Sequence, residues 1–155
     1  LSTHHGKAIR FHEEDVRSMG RQAGGVRGVQ LGKGDYVVSM EVLSGDQAAL
    51  LTVTEKGYGK RTEVKEYRVQ SRGGTGIFTC KIMDKNGPVV AVIKVSDTED
   101  IMLVTDKGKI IRTKVSGISV QGRATQGVRL INLEAGEKVM SVAKLAEKDE
   151  EEEGS

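Results

Sequence analysis

Cysteine, tryptophan, proline and long apolar runs are scarce or missing in this chain, and each shortage narrows what it can do. Cys80 is the one cysteine among 155 residues, so no internal disulfide can form and a reducing, cytoplasmic compartment is the simpler expectation. Tryptophan is absent and aromatics make up 3%, which argues against single-strand and RNA modules that stack bases on aromatic platforms. Pro88 stands alone against twenty glycines, a balance that suits hairpin turns better than a disordered linker. No apolar run approaches the ~18 residues of a membrane span. No apolar stretch behind basic residues marks a secretion signal. His4, His5 and His12 with Cys80 follow no zinc spacing, and no Ser/His/Asp arrangement is suggested, so no metal, no cofactor and no catalytic residue are expected.

What is present is charge, unevenly placed. Charged residues make up 30% of the chain and apolar ones 37%, and the net charge is +2. Six acids and one lysine give residues 147–155 a charge of −5, which leaves +7 on residues 1–146. A basic body predicts an anionic partner. The acidic tail, 147–155, is expected to be disordered; one reading is that it aids solubility, the sharper one that it competes with that partner for the basic surface.

The chain also repeats itself. Arg10, Arg61 and Arg112 stand 51 residues apart, as do Gly6, Gly57 and Gly108, then Arg21, Arg72 and Arg123, then Gly25, Gly76 and Gly127. A fixed step of this size means one supersecondary unit used repeatedly. In the best-defined unit, 49–54 reads as a buried strand, 59–64 as its hairpin partner, 76–82 alternates with period two, and 89–95 is a Val-rich fourth strand. The predicted class is all-β, about three four-stranded, propeller-like blades over 1–43, 44–95 and 96–146. The first blade lacks the front half of its opening strand, so the chain is expected to be part of a larger ring, with a free edge open to self-association.

Gly57-Tyr58-Gly59-Lys60-Arg61-Thr62, with Glu66-Tyr67, Arg72 and Gly76, resembles a blade of the C-terminal domain of DNA gyrase A. Gly6-Lys7-Ala8-Ile9-Arg10-Phe11 with Gly25-Val26-Arg27-Gly28 is similar to the blade before it, and Arg112-Thr113-Lys114-Val115 with Gln121-Gly122-Arg123 and Gly127-Val128 to the last. The resemblance spans residues 3–146. It implies a β-pinwheel, a relative of the propeller with different strand connections, whose basic rim wraps duplex DNA. It further implies a non-catalytic segment of an ATP-dependent type IIA topoisomerase that introduces negative supercoils, with cleavage and ATPase sites elsewhere. The implied partners are double-stranded DNA, the rest of gyrase A and, through it, gyrase B, in the bacterial cytoplasm at the nucleoid. The family's diagnostic Gln-Arg-Arg-Gly-Gly-Lys-Gly box belongs to a first blade. Here the nearest stretch, Gln70-Ser71-Arg72-Gly73-Gly74-Thr75-Gly76, reads as the equivalent loop of a later blade. The alternatives are the corresponding domain of topoisomerase IV and a propeller-type protein-interaction scaffold.

Duplex DNA presents a negative charge about every 1.7 Å of axis, and neutralising phosphates releases counterions. Bending 20–30 base pairs costs on the order of 1–6 kcal/mol, which one arginine cannot offset and a row of cations can. Period two places Arg10, Arg61 and Arg112 with His12, Glu63 and Lys114 on one face, read here as solvent-facing. These three arginines are the first expected DNA contacts, and Arg21, Arg72 and Arg123 in the loops the second. Lys7, Arg17, Lys60, Lys65, Arg68, Lys109, Lys114 and Arg129 are the expected helpers. The competing reading is that the arginine columns hold neighbouring blades together through acids.

Overall fold

The computed structural model describes residues 1–145; the expectation for the tail at 147–155 lies outside them. The described strands are β1 (Ser2–Thr3), β2 (Lys7–Ala8), β3 (Val37–Ser39), β4 (Ala49–Thr54), β5 (Tyr58–Glu63), β6 (Ile77–Phe78), β7 (Val89–Val95), β8 (Asp100–Thr105), β9 (Ile110–Lys114), β10 (Val128–Arg129) and β11 (Val139–Leu145). Short 3-10 turns at Glu13–Asp15, Val64–Glu66 and Val115–Gly117 follow β2, β5 and β9 at the repeat step.

The strands form three antiparallel sheets, β3-β1-β2-β6, β10-β5-β4-β7 and β11-β8-β9. Each central hairpin, β1-β2, β4-β5 or β8-β9, is local in sequence. The strand that flanks it on the far side of β2 or β5 comes from the next repeat. Thus Lys7 and Ala8 pair with Phe78 and Ile77, and Tyr58 and Gly59 pair with Arg129 and Val128. This exchange corrects the self-contained unit expected from sequence. The 76–82 stretch is strand only at Ile77–Phe78, and it belongs to the preceding sheet. The architecture is a partial β-pinwheel: blades stitched together by strands that cross from one to its neighbour.

Glycine makes the stitch possible. A Cβ on Gly76 would lie 2.5 Å from the Ala8 carbonyl oxygen, and one on Gly127 would lie 2.7 Å from that of Gly59. Both residues also sit at positive φ, 75° and 81°, which side chains disfavour.

The core lies between blades rather than inside one. Alternation along β4 sends Leu51 and Val53 to one side, where they pack with Ile101, Leu103, Val115 and Ile118 of the third repeat. Leu50 points the other way, to a cluster with Ala8, Val64, Tyr67, Cys80 and Val92. A strand buried on both faces reads as a near-continuous apolar run, and Leu50 through Thr54 are all buried. β7 lies against both β3 and β11, at the sheet ends opposite β6 and β10, which mark the other edge. Cys80 is buried, as expected of a small core residue.

Candidate nucleic-acid interface

The arginine column is not a free rim. Arg10 donates from Nη1 to the backbone oxygens of Tyr67 (3.1 Å) and Val64 (3.4 Å), and Nη2 pairs with Asp46. One step later, Arg61 donates from Nε to Ile118 O (2.7 Å) and from Nη2 to Ser116 O (3.5 Å), and Nη1 pairs with Asp97. The side chain of Arg61 is only 11% exposed. Arg112 pairs with Asp100 at 2.7 Å. Arg10 and Arg61 therefore reach across the seam to carbonyls at and just after the 3-10 turn of the following repeat. The solvent-facing reading of these two is corrected: the turn carbonyls draw the guanidinium into the seam. The signal was in the sequence, since Asp46 and Asp97 also stand 51 residues apart.

The second column behaves alike. Arg72 donates to Arg27 O (2.8 Å) and Asp15 O (3.1 Å), and Arg123 to Phe78 O (2.9 Å). Phe78 is the repeat equivalent of Arg27, so the contact is one inter-blade tie made twice. Arg21 is exposed and has no such partner among the described residues.

Lys60 overturns its expected role altogether. It is fully buried. Its ammonium donates to Gly122 O (2.6 Å), Arg123 O (2.7 Å) and Thr125 Oγ1 (3.1 Å). Burial pulls its pKa down to about 8; the Cys80 and Glu66 charges oppose this, and Arg123 adds to it. It is a structural lysine, not a helper on the rim.

The other helpers divide. Lys7 lies 4.1 Å above the Phe78 ring across the β2–β6 pair. Lys109 bonds Asn132 O (3.1 Å) and the Glu137 carboxylate (3.2 Å). Glu137 is held below its ordinary pKa by the Glu134 amide first, then by the Thr105 hydroxyl and Lys109. Lys65 pairs with Glu63 at 2.8 Å on the surface, and that pair raises its pKa. Arg129 sits over Tyr58 and bonds its hydroxyl at 3.2 Å. Arg17, Arg68 and Lys114 are exposed, and no carboxylate pairs with any of them among the described residues.

A family profile, "DNA gyrase C-terminal domain, beta-propeller", matches residues 1–44, 48–96 and 99–146. The chain belongs to that family. DNA gyrase A of Escherichia coli (strain K12) is 48% identical over 147 residues, covering 95% of this chain and 17% of that protein. DNA gyrase A of Staphylococcus aureus (strain MRSA252) is 48% identical over 153 residues, 98% of this chain and 17% of that protein. The chain thus spans about a sixth of the length of these curated relatives. Among solved structures, a DNA gyrase A C-terminal domain aligns with a TM-score of 0.86 at 34% identity, covering 94% of this chain and 49% of that one. The C-terminal domain of a DNA topoisomerase IV aligns with a TM-score of 0.88 at 29% identity, covering 94% and 45%.

Within this gyrase-family fold, the cations split into two sets. Those in the seams have carbonyls or carboxylates as partners and hold blades together. Those outside the seams face solvent; in addition to Arg17, Arg21, Arg68 and Lys114 they include Lys81, Lys85 and Lys138, whose side chains the sequence pattern did not single out. No repeat column marks these last three, so periodicity could not find them. Among the described residues no group of three or more His, Cys, Asp or Glu side chains could hold a metal ion, and no helix is long and apolar enough to cross a membrane.

Proposed function

We propose that this chain is a non-catalytic duplex-binding segment of a gyrase A protein, gripping the sugar–phosphate backbone on its outer surface without reading sequence. The observation that carries the proposal is a gyrase C-terminal-domain match along almost all of the chain. Exposed cations without carboxylate partners, Arg17 and Arg68 at the repeat step among them, support it. Backbone contacts position a duplex and gain by counterion release. In this reading the rest of gyrase A, together with gyrase B, supplies the protein partners, and cleavage and ATP hydrolysis lie outside the chain. Between the two sibling enzymes, 48% identity to gyrase A proteins and 34% against 29% in the solved domains favour gyrase.

A salt titration tests this. Binding of a labelled duplex, followed by fluorescence anisotropy, is expected to weaken linearly in log–log form with salt, equally for unrelated sequences. Changing both Arg17 and Arg68 to Ala should flatten the slope by about two, near 0.9 per phosphate contact. No binding at low salt, or a strong sequence preference, would overturn the proposal.

A further inference from the structure

At the turn end of the seam between the second and third repeats lies a cleft of about 300 Å³. Its cationic lining comes from four separate segments: Lys56 in the β4–β5 turn, Lys85 before β7, Arg129 on β10, and Lys138 leading into β11. Tyr58 forms part of the wall. Lys85 Nζ lies 5.8 Å and Arg129 Cζ 5.6 Å from its ring centre, so two cations flank one aromatic ring.

The charge balance of this cleft is unlike that of the seams. Lys85 and Lys138 have no hydrogen-bond acceptor for their ammonium groups among the described residues, and Lys56 is bonded to the Asp84 carbonyl rather than to a carboxylate. The guanidinium of Arg129 has only the Tyr58 hydroxyl oxygen as a bonded partner among the described residues. Of the three acids in the lining, Glu134 is engaged by Lys107 (3.3 Å) and Glu137 by Lys109 (3.2 Å) and Thr105. Only Glu55 is left to offset four cations. Elsewhere the fold pairs its inward arginines with aspartates at the repeat step; here four cations converge on a lining with three carboxylates, two of them already engaged by other lysines.

We propose that this cleft is an anion subsite that takes a phosphodiester of bound duplex DNA. The inference rests on the duplex-binding reading, which selects a phosphate over the carboxylates of an acidic peptide. Arg129 offers the donor fork that suits a phosphate oxygen pair. Lys85 and Lys138 supply point charges from separate segments, and Tyr58 fixes the guanidinium plane. Among the described residues, the neighbouring seam does not share the site. In the preceding seam the equivalents of Lys56, Lys85, Arg129 and Lys138 are His5, Gly34, Phe78 and Gly87, so a phosphate there would meet no such cluster. Of the two seams among the described residues, the contact belongs to this one.

Lysine acetylation footprinting with and without a duplex, paired with anisotropy on the triple variant Lys85→Ala/Arg129→Ala/Lys138→Ala, tests the proposal. Duplex should protect Lys85 and Lys138 from acetylation. The triple variant should flatten the salt slope by two to three and weaken low-salt binding at least about tenfold, with thermal unfolding unchanged because all three side chains are exposed. If the wild-type chain binds duplex but Lys85 and Lys138 stay reactive and the triple variant keeps its slope, the subsite is refuted while duplex binding stands. Protection by a polyglutamate peptide and not by duplex would refute it equally, in favour of an acidic protein partner. Failure of the wild-type chain to bind duplex at all would instead refute the reading on which the inference rests.

Discussion

Lys60 shows how a single residue can be misread by type and read correctly by position. Lysine is a solvated residue by default, and a lysine beside a rim arginine invites a contact role. Its repeat column says otherwise: the equivalents are Ile9, 3% exposed, and the partly buried Ile111. An ammonium placed in an aliphatic column must find acceptors, and the loop at 122–125 supplies two carbonyls and a hydroxyl. The pH consequence follows from the direction of its shift. The folded chain releases the proton near pH 8, whereas the unfolded chain keeps it to its ordinary value of 10.5. Folding is therefore linked to proton release between these values, and this group's contribution to stability rises with pH across the window. Burial pushes the Cys80 thiol up, which gives a slope of opposite sign at its alkaline end. On a Cys80→Ala background, then, the melting temperature relative to Lys60→Met should increase from pH 7.5 to pH 10. A difference that stays flat or falls would show that Lys60 does not titrate as a buried base.

At the scale of the element, the fold was legible where repetition is strong and illegible where chain connectivity decides. Hairpins β4–β5 and β8–β9 were plain from buried runs around Gly57 and Gly108. The third strand was not, because Ile77–Phe78 alternates equally well whichever sheet receives it; only the close approach of Gly76 to Ala8 selects the preceding blade. The arginine columns were legible as columns, but a period of two cannot tell a face turned to water from one turned into a neighbouring blade. Their role as ties has an energetic test. Arg61 satisfies the part-buried Ile118 carbonyl of the next repeat at 2.7 Å, and losing it strands that acceptor in the seam, about 1–3 kcal/mol. Asp97 is 80% exposed, so its ion pair contributes under about 1 kcal/mol. Urea unfolding should accordingly show Arg61→Ala clearly more destabilised than Asp97→Ala. Equal losses would mean that the ion pair, and not the carbonyl contacts, joins the blades.

On the scale of the whole molecule, the same strand exchange leaves two matching features without partners. β9 has no strand on its outer side among the described residues, and Ile110 on it is 60% exposed. At the other end, Val26 and Arg27 are the repeat equivalents of β6 and β10 but pair with no sheet among the described residues, and a Cβ on Gly25 would meet nothing within 4 Å. A second copy can offer one feature to the other, head to tail. The register of the two internal exchanges fixes the outcome: Val26 would face Ile110, and Arg27 would face Lys109. The apolar pair favours the contact, and the like charges of Arg27 and Lys109 oppose it, an opposition weakened by the Glu137 carboxylate that already pairs with Lys109 at 3.2 Å. Changing Arg27 to Glu would replace that repulsion with attraction to Lys109, shared with Glu137, and sedimentation velocity should then show more concentration-dependent head-to-tail species at low salt than the unaltered chain forms. Because the added attraction is between exposed charges, those species should fade as salt rises past the point where the Debye length shrinks below about 8 Å. Equal self-association of both forms would mean that the copies meet through another surface.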